Sequence, residues 1–345
     1  MTTFAQIIEG AHQNKYSDVH LKDGVGIFHR KGGRIFRNVD HDVAPEDIGD
    51  MIWGTLDEIR QQSLAKRRKA DYALQINPDV RVRGSAFYQR KALSGVYRLV
   101  PTKIPSAAEL GLPTIAREFA LRPRGLVLIV GPAGSGKTTT AVSLVNEINA
   151  SVSKHIVTVE DPIEYLLRNE KSIVTQRELD SHVVSFEMAL KASLREDPDV
   201  VFIGEIRDLD TVSTAITMAE TGHLVISTVQ TIGACEVMDR IVNMFPSALH
   251  EQIRTQLSLN IQGIISQILL PMGDKSLQMT AAFEILNPTF ALRALIRKGE
   301  VSKIKATLET SVRDGCLPMR MAVLQLHRQN VITDATRDKV FEYMR

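Results

Sequence analysis

The chain is short of cysteine and of net charge, and each shortage argues against a class of protein. Only two cysteines occur in 345 residues, Cys235 and Cys316, which excludes a disulfide-stapled scaffold and a cysteine-rich zinc module. The net charge is +2, from 42 lysines and arginines against 40 acidic residues. This near-neutral balance does not favour a nucleic-acid-binding protein.

Long hydrophobic runs are also missing. No stretch reaches the about 18 consecutive apolar residues of a membrane-spanning helix, and aliphatic runs such as Leu126–Val130 have the length of a strand. The N-terminal residues lack a basic region followed by an apolar segment, so we expect no signal peptide. A cytoplasmic protein is the simplest interpretation.

The distribution of residues indicates two domains. At about 150 residues per domain the length suggests two, and nine of the 18 aromatic residues lie within residues 1–98. Pro101 and Pro105 favour extended backbone between the two parts. We therefore predict a first domain over residues 1–98, a linker over 99–108 and a second domain over 109–345.

The first domain reads as a mixture of short helices and strands. Helices are expected over Phe4–His12 and from Pro45 through Leu64. Val25–Phe28 and Arg34–Val39 flank Lys31-Gly32-Gly33, a pattern typical of a hairpin. In Val80–Phe87, valines alternate with Arg81 and Arg83, which predicts a strand with one basic face.

The second domain alternates strands with helices. Apolar runs predict buried strands at Leu126–Val130, Ile156–Val159, Val200–Ile203 and Leu224–Ser227. Helical periodicity between them is typical of an α/β protein with a parallel sheet. After Pro246 the pattern predicts helices to the C-terminus.

One segment has the full G-x-x-x-x-G-K-T pattern of a Walker A loop. It follows a predicted strand and precedes a predicted helix, which is the context of a phosphate site. Lys137 would bridge the β- and γ-phosphates of ATP, and the Thr138 hydroxyl would bind Mg²⁺. The candidate nucleotide-binding residues are Gly131, Pro132, Ala133, Gly134, Ser135, Gly136, Lys137, Thr138 and Thr139.

Two further strands end in acidic residues. Glu205 follows Val200–Ile203 and is the candidate Walker B acid and metal ligand, although a carboxylate there could also cap the next helix. Glu160 ends another strand and could polarise an attacking water. Asp161 before Pro162 is equally a plain turn signal.

A fourth strand has polar residues at both of its ends. His223 precedes Leu224–Ser227 and is a candidate catalytic residue, although a lone histidine is more often structural. Gln230 follows the strand and could contact the γ-phosphate, because an amide offers both a donor and an acceptor.

These motifs, in this order, resemble the type II/IV secretion ATPase superfamily, and within it the PilT-like pilus retraction ATPases. The family's Asp box matches Thr158–Glu164, its Walker B region matches Leu194–Asp208, and its His box begins at Thr221. Ser17–Leu21 resembles the start of the family's N-terminal domain. Ala291–Arg297 resembles the C-terminal retraction motif.

The resemblance implies a PAS-like α+β N-terminal domain followed by a RecA-like P-loop ATPase domain with a helical C-terminal part. It implies Glu160 as general base and Glu205 as the acid that organises Mg²⁺. Arg81, Arg83 and Arg98 would approach the nucleotide phosphates across a domain or subunit boundary.

The resemblance further implies a homohexameric ring that docks from the cytoplasm onto an inner-membrane pilus platform protein and retracts pili by ATP hydrolysis.

Gln230 replaces the second histidine of the His box, and Lys298 stands where the family favours an acid. Leu270–Met279 and Gly315–Met319 also depart from the family pattern. An accessory paralogue that assists a partner motor is therefore the alternative.

A RecA-like helicase is disfavoured by the few aromatic residues of the second domain and by the near-neutral charge of the chain. No nucleic-acid partner is expected.

Overall fold

The computed structural model describes residues 2–31, 34–38, 42–90, 92–100, 102–273 and 278–344. It divides into two compact units. The first contains Met1–Ile104 together with Pro162–Leu166 and Glu178–His182, and the second contains the remaining residues. The sequence did not indicate that two short segments beyond residue 160 belong to the first unit. The predicted limits at residues 98 and 109 stay predictions.

The first unit is built on a six-stranded antiparallel sheet in the order β3-β2-β1-β6-β5-β4. Its strands are β1 (Asp18–Lys22), β2 (Gly26–Lys31), β3 (Arg34–Asn38), β4 (Lys69–Asn77), β5 (Val80–Gln89) and β6 (Ala92–Val100). Its helices are α1 (Phe4–Gln13), α2 (Ile48–Trp53) and α3 (Glu58–Arg67), with a 3₁₀ turn at Pro45–Asp47.

Most predicted elements of this unit are confirmed. Helix α1 begins at a capping box in which Thr3 and Gln6 exchange hydrogen bonds, and β2 pairs with β3 as a hairpin. Gly32 and Gly33 of the predicted turn lie outside the described residues, as do Val39 of the second predicted strand and Pro101 of the predicted linker.

The single helix predicted from Pro45 through Leu64 is wrong. The chain forms the 3₁₀ turn, then α2, and starts again at α3. The hydroxyl of Thr55 donates to the carbonyl of Ile52 at 2.7 Å, and Asp57 accepts the backbone N–H of Arg60 at 2.9 Å. These side chains satisfy the backbone groups at the end of one helix and the start of the next, so the break is stable.

The core of the first unit centres on the buried ring of Tyr97. Its hydroxyl shares a hydrogen bond of 3.0 Å with that of Tyr72, and burial raises the pKa of Tyr97 well above its ordinary value. The ring lies against Gly84 and Gly95, where an added β-carbon would come within 2.9 and 2.7 Å of it. The two glycines therefore make room for the aromatic ring inside the sheet.

We predict that Gly95→Ala destabilises the first unit by about 1–3 kcal/mol, because the methyl group overpacks the core. The matched control is Gly10→Ala in α1, where no atom lies within 4 Å of an added β-carbon, and it should stabilise by about 0.5–1 kcal/mol. Urea unfolding followed by the fluorescence of Trp53, the only tryptophan of the chain, measures both. Equal midpoints for the two variants would contradict the packing described.

The chain beyond residue 104 forms a seven-stranded sheet in the order β13-β12-β7-β11-β10-β8-β9. Its strands are β7 (Gly125–Val130), β8 (His155–Glu160), β9 (Ile173–Glu178), β10 (Val200–Ile203), β11 (Leu224–Val229), β12 (Ile261–Pro271) and β13 (Met279–Leu286). The accompanying helices are α4 (Thr114–Ala120), α5 (Lys137–Ser151), α6 (Phe186–Ser193), α7 (Leu209–Glu220), α8 (Glu236–Val242), α9 (His250–Asn260), α10 (Phe290–Lys298), α11 (Val301–Thr310), α12 (Met319–Arg328) and α13 (Asp334–Tyr343). Short 3₁₀ turns lie at Ser247–Leu249 and Val312–Asp314.

The central strands pair in parallel: β12 with β7, β7 with β11, β11 with β10, and β10 with β8. Every residue of β7, β10 and β11 is buried, which explains why these strands read as continuous apolar runs. The α/β class with a parallel sheet is confirmed.

The prediction that the chain is all-helical after Pro246 is wrong, because β12 and β13 form an antiparallel pair there. Strand β12 is buried over most of its length. An apolar run that is buried on both faces has no alternating pattern, so periodicity cannot distinguish it from a helix. In the part of the chain that the structure describes, no helix has the length and apolar character needed to cross a membrane.

Candidate functional site

The Walker A segment forms a loop between β7 and α5. Gly134 and Gly136 have positive φ angles of 74° and 85°, which glycine adopts without strain. Helix α5 begins at Lys137, so the backbone N–H groups of its first turn and the positive end of its dipole face the loop. The ammonium group of Lys137 donates to the carbonyl of Pro132 at 2.9 Å.

The loop lies against the backbone of β12. A β-carbon at Gly131 would come within 2.5 Å of both the carbonyl oxygen of Gln267 and the hydroxyl of Ser135. The side-chain amide of Gln267 donates a short hydrogen bond to the carbonyl of Ser135. Sequence reasoning missed Gln267, and the only signal was a polar amide inside an apolar run.

The parallel strands bring three predicted residues to the edge of the sheet where the loop lies. Glu160 ends β8, Glu205 follows β10, and Gln230 follows β11. Because neighbouring strands lie about 4.8 Å apart, these positions follow one another along that edge, starting beside the loop. This edge is where open α/β sheets bind ligands.

The turn that carries Glu205 is held between two strands. The backbone N–H of Gly204 donates to the carbonyl of Val159 at 2.8 Å, and the hydroxyl of Thr228 donates to the carbonyl of Gly204 at 2.6 Å. The N–H of Ile206 donates to the carbonyl of Thr228 at 2.9 Å. The position of Glu205 is therefore set by β8 and β11 as well as by its own strand.

Glu160 is almost completely buried, with 2% of its surface exposed. One of its carboxylate oxygens accepts hydrogen bonds from the hydroxyl of Thr158 at 2.7 Å and from the amide of Gln176 at 3.0 Å. These donors fix the orientation of the carboxylate. Gln176 is a second residue that the sequence did not single out.

Glu205 forms an ion pair with Arg207. The guanidinium donates to Glu205 at 2.7 Å and to Asp161 at 3.2 Å. Partial burial lowers the pKa of Arg207, but the two carboxylates outweigh it, so the net shift is upward. Arg207 therefore stays charged and links the acids that follow β8 and β10.

His223 lies before the N-terminal end of β11, whereas Gln230 lies after its C-terminal end. The six residues of that strand separate His223 from Gln230 by about 20 Å. The Nδ1 atom of His223 is 3.0 Å from the carbonyl oxygen of Met218 and 3.2 Å from the hydroxyl of Thr221. The structure does not bring His223 to the Walker A loop.

The three predicted arginines lie on the sheet of the first unit. Arg81 donates to the carbonyl of Ile163 at 2.9 Å and is 7% exposed, so the expected basic face of β5 is half buried. Arg83 pairs with Glu164 at 3.3 Å. Arg98 pairs with Asp18 at 2.9 Å, but 69% of its side chain is exposed.

Residues 108–328 match the family described as Type II/IV secretion system protein. The chain belongs to this family. It is 34% identical to the type IV pilus retraction ATPase PilT of Pseudomonas aeruginosa, aligned over 92% of each protein. It is 37% identical to the type IV pilus ATPase PilU of the same organism, over 92% of this chain and 83% of PilU. It is 38% identical to a twitching motility protein of Neisseria gonorrhoeae, over 84% of this chain and 78% of that protein.

Solved structures agree with this family assignment. The pilus retraction motor PilT with bound ADP has a TM-score of 0.89 and 39% identity, covering 98% of this chain and 96% of PilT. The ATPase DotB of Legionella pneumophila has a TM-score of 0.85 at 24% identity, covering 100% of this chain and 98% of DotB, and shows the same fold. The chain is thus homologous to the PilT retraction ATPases, and the predicted family and the fold of an N-terminal domain with an ATPase domain are confirmed.

We predict that Gly131→Ala weakens nucleotide binding by a factor of about 10–100. The added methyl group would push the loop away from β12. The control is Gly222→Ala in the turn before β11, where φ is +112° but no atom lies within 4 Å of an added β-carbon. That variant should lose stability and keep its affinity. Titration with a fluorescent ADP analogue measures both, and equal affinities would contradict the loop geometry.

Proposed function

We propose that the protein is a Mg²⁺-dependent ATPase that works as a homohexameric ring and retracts type IV pili. The observation that carries this proposal is the Walker A loop beside Gln230, Glu205 and Glu160 in a chain homologous to PilT. ATP binding would use the backbone N–H groups of the loop, with Lys137 leaving the carbonyl of Pro132 for the phosphates.

The oxygen donors at the site fit a magnesium ion. Mg²⁺ prefers oxygen ligands and keeps several waters, so it needs only one or two protein groups besides the phosphates. Thr138 in the first turn of α5 and Glu205 after β10 supply such groups. Bound Mg²⁺ would neutralise charge on the β- and γ-phosphates.

Hydrolysis would proceed by attack of water on the γ-phosphorus. Glu160 would accept the proton of the water while the bond to the β,γ-bridging oxygen breaks and ADP leaves. The hydrogen bonds from Thr158 and Gln176 support this assignment, because they orient the carboxylate before the reaction. The side-chain N–H of Gln230 would donate a hydrogen bond to the γ-phosphate. His223 would stabilise the turn before β11.

We assign the arginines different roles. Arg98 is the candidate for reaching the nucleotide of a neighbouring subunit, because most of its side chain is exposed despite the pair with Asp18. Arg81 and Arg83 contact the backbone of Ile163 and the carboxylate of Glu164, and so support the segment that follows Glu160. Docking onto an inner-membrane platform protein, and cooperation with a paralogous motor, belong to the same proposal.

Glu160→Gln should lower the rate of ATP hydrolysis by about 10²–10⁴, because the amide cannot accept the proton. ADP affinity should stay unchanged. Glu170→Gln, an exposed acid between β8 and β9, is the matched control and should hydrolyse ATP at the wild-type rate. The measurement is the rate of phosphate release from Mg-ATP. A rate for Glu160→Gln close to that of wild type would show that Glu160 is not the general base.

Pilus retraction tests the motor function itself. In a strain lacking the gene, the wild-type protein should restore retraction seen by fluorescence imaging, and Glu205→Ala should not. The accessory alternative, motivated by Gln230, predicts that Glu205→Ala restores retraction as well as wild type does. It also predicts that wild-type turnover is close to that of Glu205→Ala and rises strongly in Gln230→His.

A further inference from the structure

We propose that Gln267 of β12 is a positioning residue that holds the Walker A loop in its phosphate-binding shape without touching the nucleotide. The inference rests on the proposed nucleotide site. Gln267 is 1% exposed, and its side-chain amide donates to the carbonyl of Ser135. No family motif described above includes it.

Strand pairing brings Gln267 to the loop. Strand β12 runs parallel to β7, with Ser266 opposite Val130. The residues that follow are Gln267 in β12 and Gly131 just after β7. The carbonyl oxygen of Gln267 lies within 2.5 Å of the position that a β-carbon on Gly131 would take. The side-chain nitrogen lies 3.2 Å from the corresponding position on Gly136. One residue therefore contacts both the first and the last glycine of the loop.

The hydrogen bond to Ser135 sets the direction of a backbone donor. In a planar trans peptide the C=O and N–H groups point in opposite directions. When Gln267 holds the carbonyl of Ser135 towards β12, the N–H of Gly136 in the same peptide must point away from β12. Backbone N–H groups of such loops bind phosphate oxygens. The hydrogen bond from Gln267 therefore directs one of these donors towards the proposed phosphate site.

The side-chain oxygen of Gln267 indicates that this residue does not serve mainly to stabilise the fold. The Oε1 atom of Gln267 is buried without a hydrogen-bond partner among the described residues. A buried acceptor without a partner lowers stability. Methionine removes this acceptor but also leaves the carbonyl of Ser135 without its donor, so the two effects on stability oppose each other. We therefore expect methionine at this position to be tolerated by the fold while the direction of the Gly136 N–H is lost.

The test compares Gln267→Met with Gln262→Met, a glutamine of the same strand near its other end. Gln262 is packed beside Gly125 at the start of β7. In the full chain, Gln267→Met should raise the Kd for a fluorescent ADP analogue and the KM for Mg-ATP about tenfold. Its kcat at saturating ATP should stay within about threefold of wild type, because a contact made equally in the bound and transition states changes KM alone. Gln262→Met should leave both constants unchanged.

Thermal unfolding without nucleotide completes the test. Gln267→Met should unfold close to the wild-type temperature, because the lost donor to Ser135 and the lost unsatisfied acceptor offset each other. A variant that unfolds at a much lower temperature or does not fold shows that Gln267 serves stability and overturns the inference, and so does unchanged ADP affinity. If wild type binds ADP but releases no phosphate from ATP, the proposed function fails while the binding comparison still decides the role of Gln267.

Discussion

The arrangement of β7 between β11 and β12 is the constraint on which the candidate site depends. Parallel pairing on both sides fixes the point where the chain leaves the sheet after Val130, and so the place of the Walker A loop. The same pairing carried across β10 and β8 brings Glu205 and Glu160 to that edge. A local glycine-rich motif thereby becomes part of a site with acids that lie up to 74 residues away in the sequence.

The two acids are held by different partners, and their proposed roles differ as well. Glu160 is buried and accepts hydrogen bonds from Thr158 and Gln176, which orient its carboxylate. Glu205 is paired with Arg207, whose guanidinium also contacts Asp161. Orientation by hydrogen bonds suits the proposed proton acceptor, and a carboxylate at the C-terminal end of β10 suits the proposed metal-organising acid.

The sequence predicted the parts of the molecule that local pattern determines. The strand, glycine loop and helix around Lys137 were foreseen because each has its own signal over a few residues. Strand β12 was not foreseen, since burial on both faces removes the alternation that identifies a strand. Gln267 was missed with it, because its role comes from pairing with a strand more than 130 residues earlier. By contrast, the strand predicted between His223 and Gln230 already placed these two residues at opposite ends of β11.

A crystal structure of the full chain with Mg²⁺, ADP and aluminium fluoride tests the central claim most directly, because this mixture imitates the phosphate during transfer. The account predicts that Lys137 has left Pro132 for the phosphates, that the Thr138 hydroxyl lies about 2.1 Å from the metal with Glu205 beside it, and that Glu160 faces the water in line with the fluoride. Nucleotide bound at another edge of the sheet, or Glu160 turned away from that water, would contradict it.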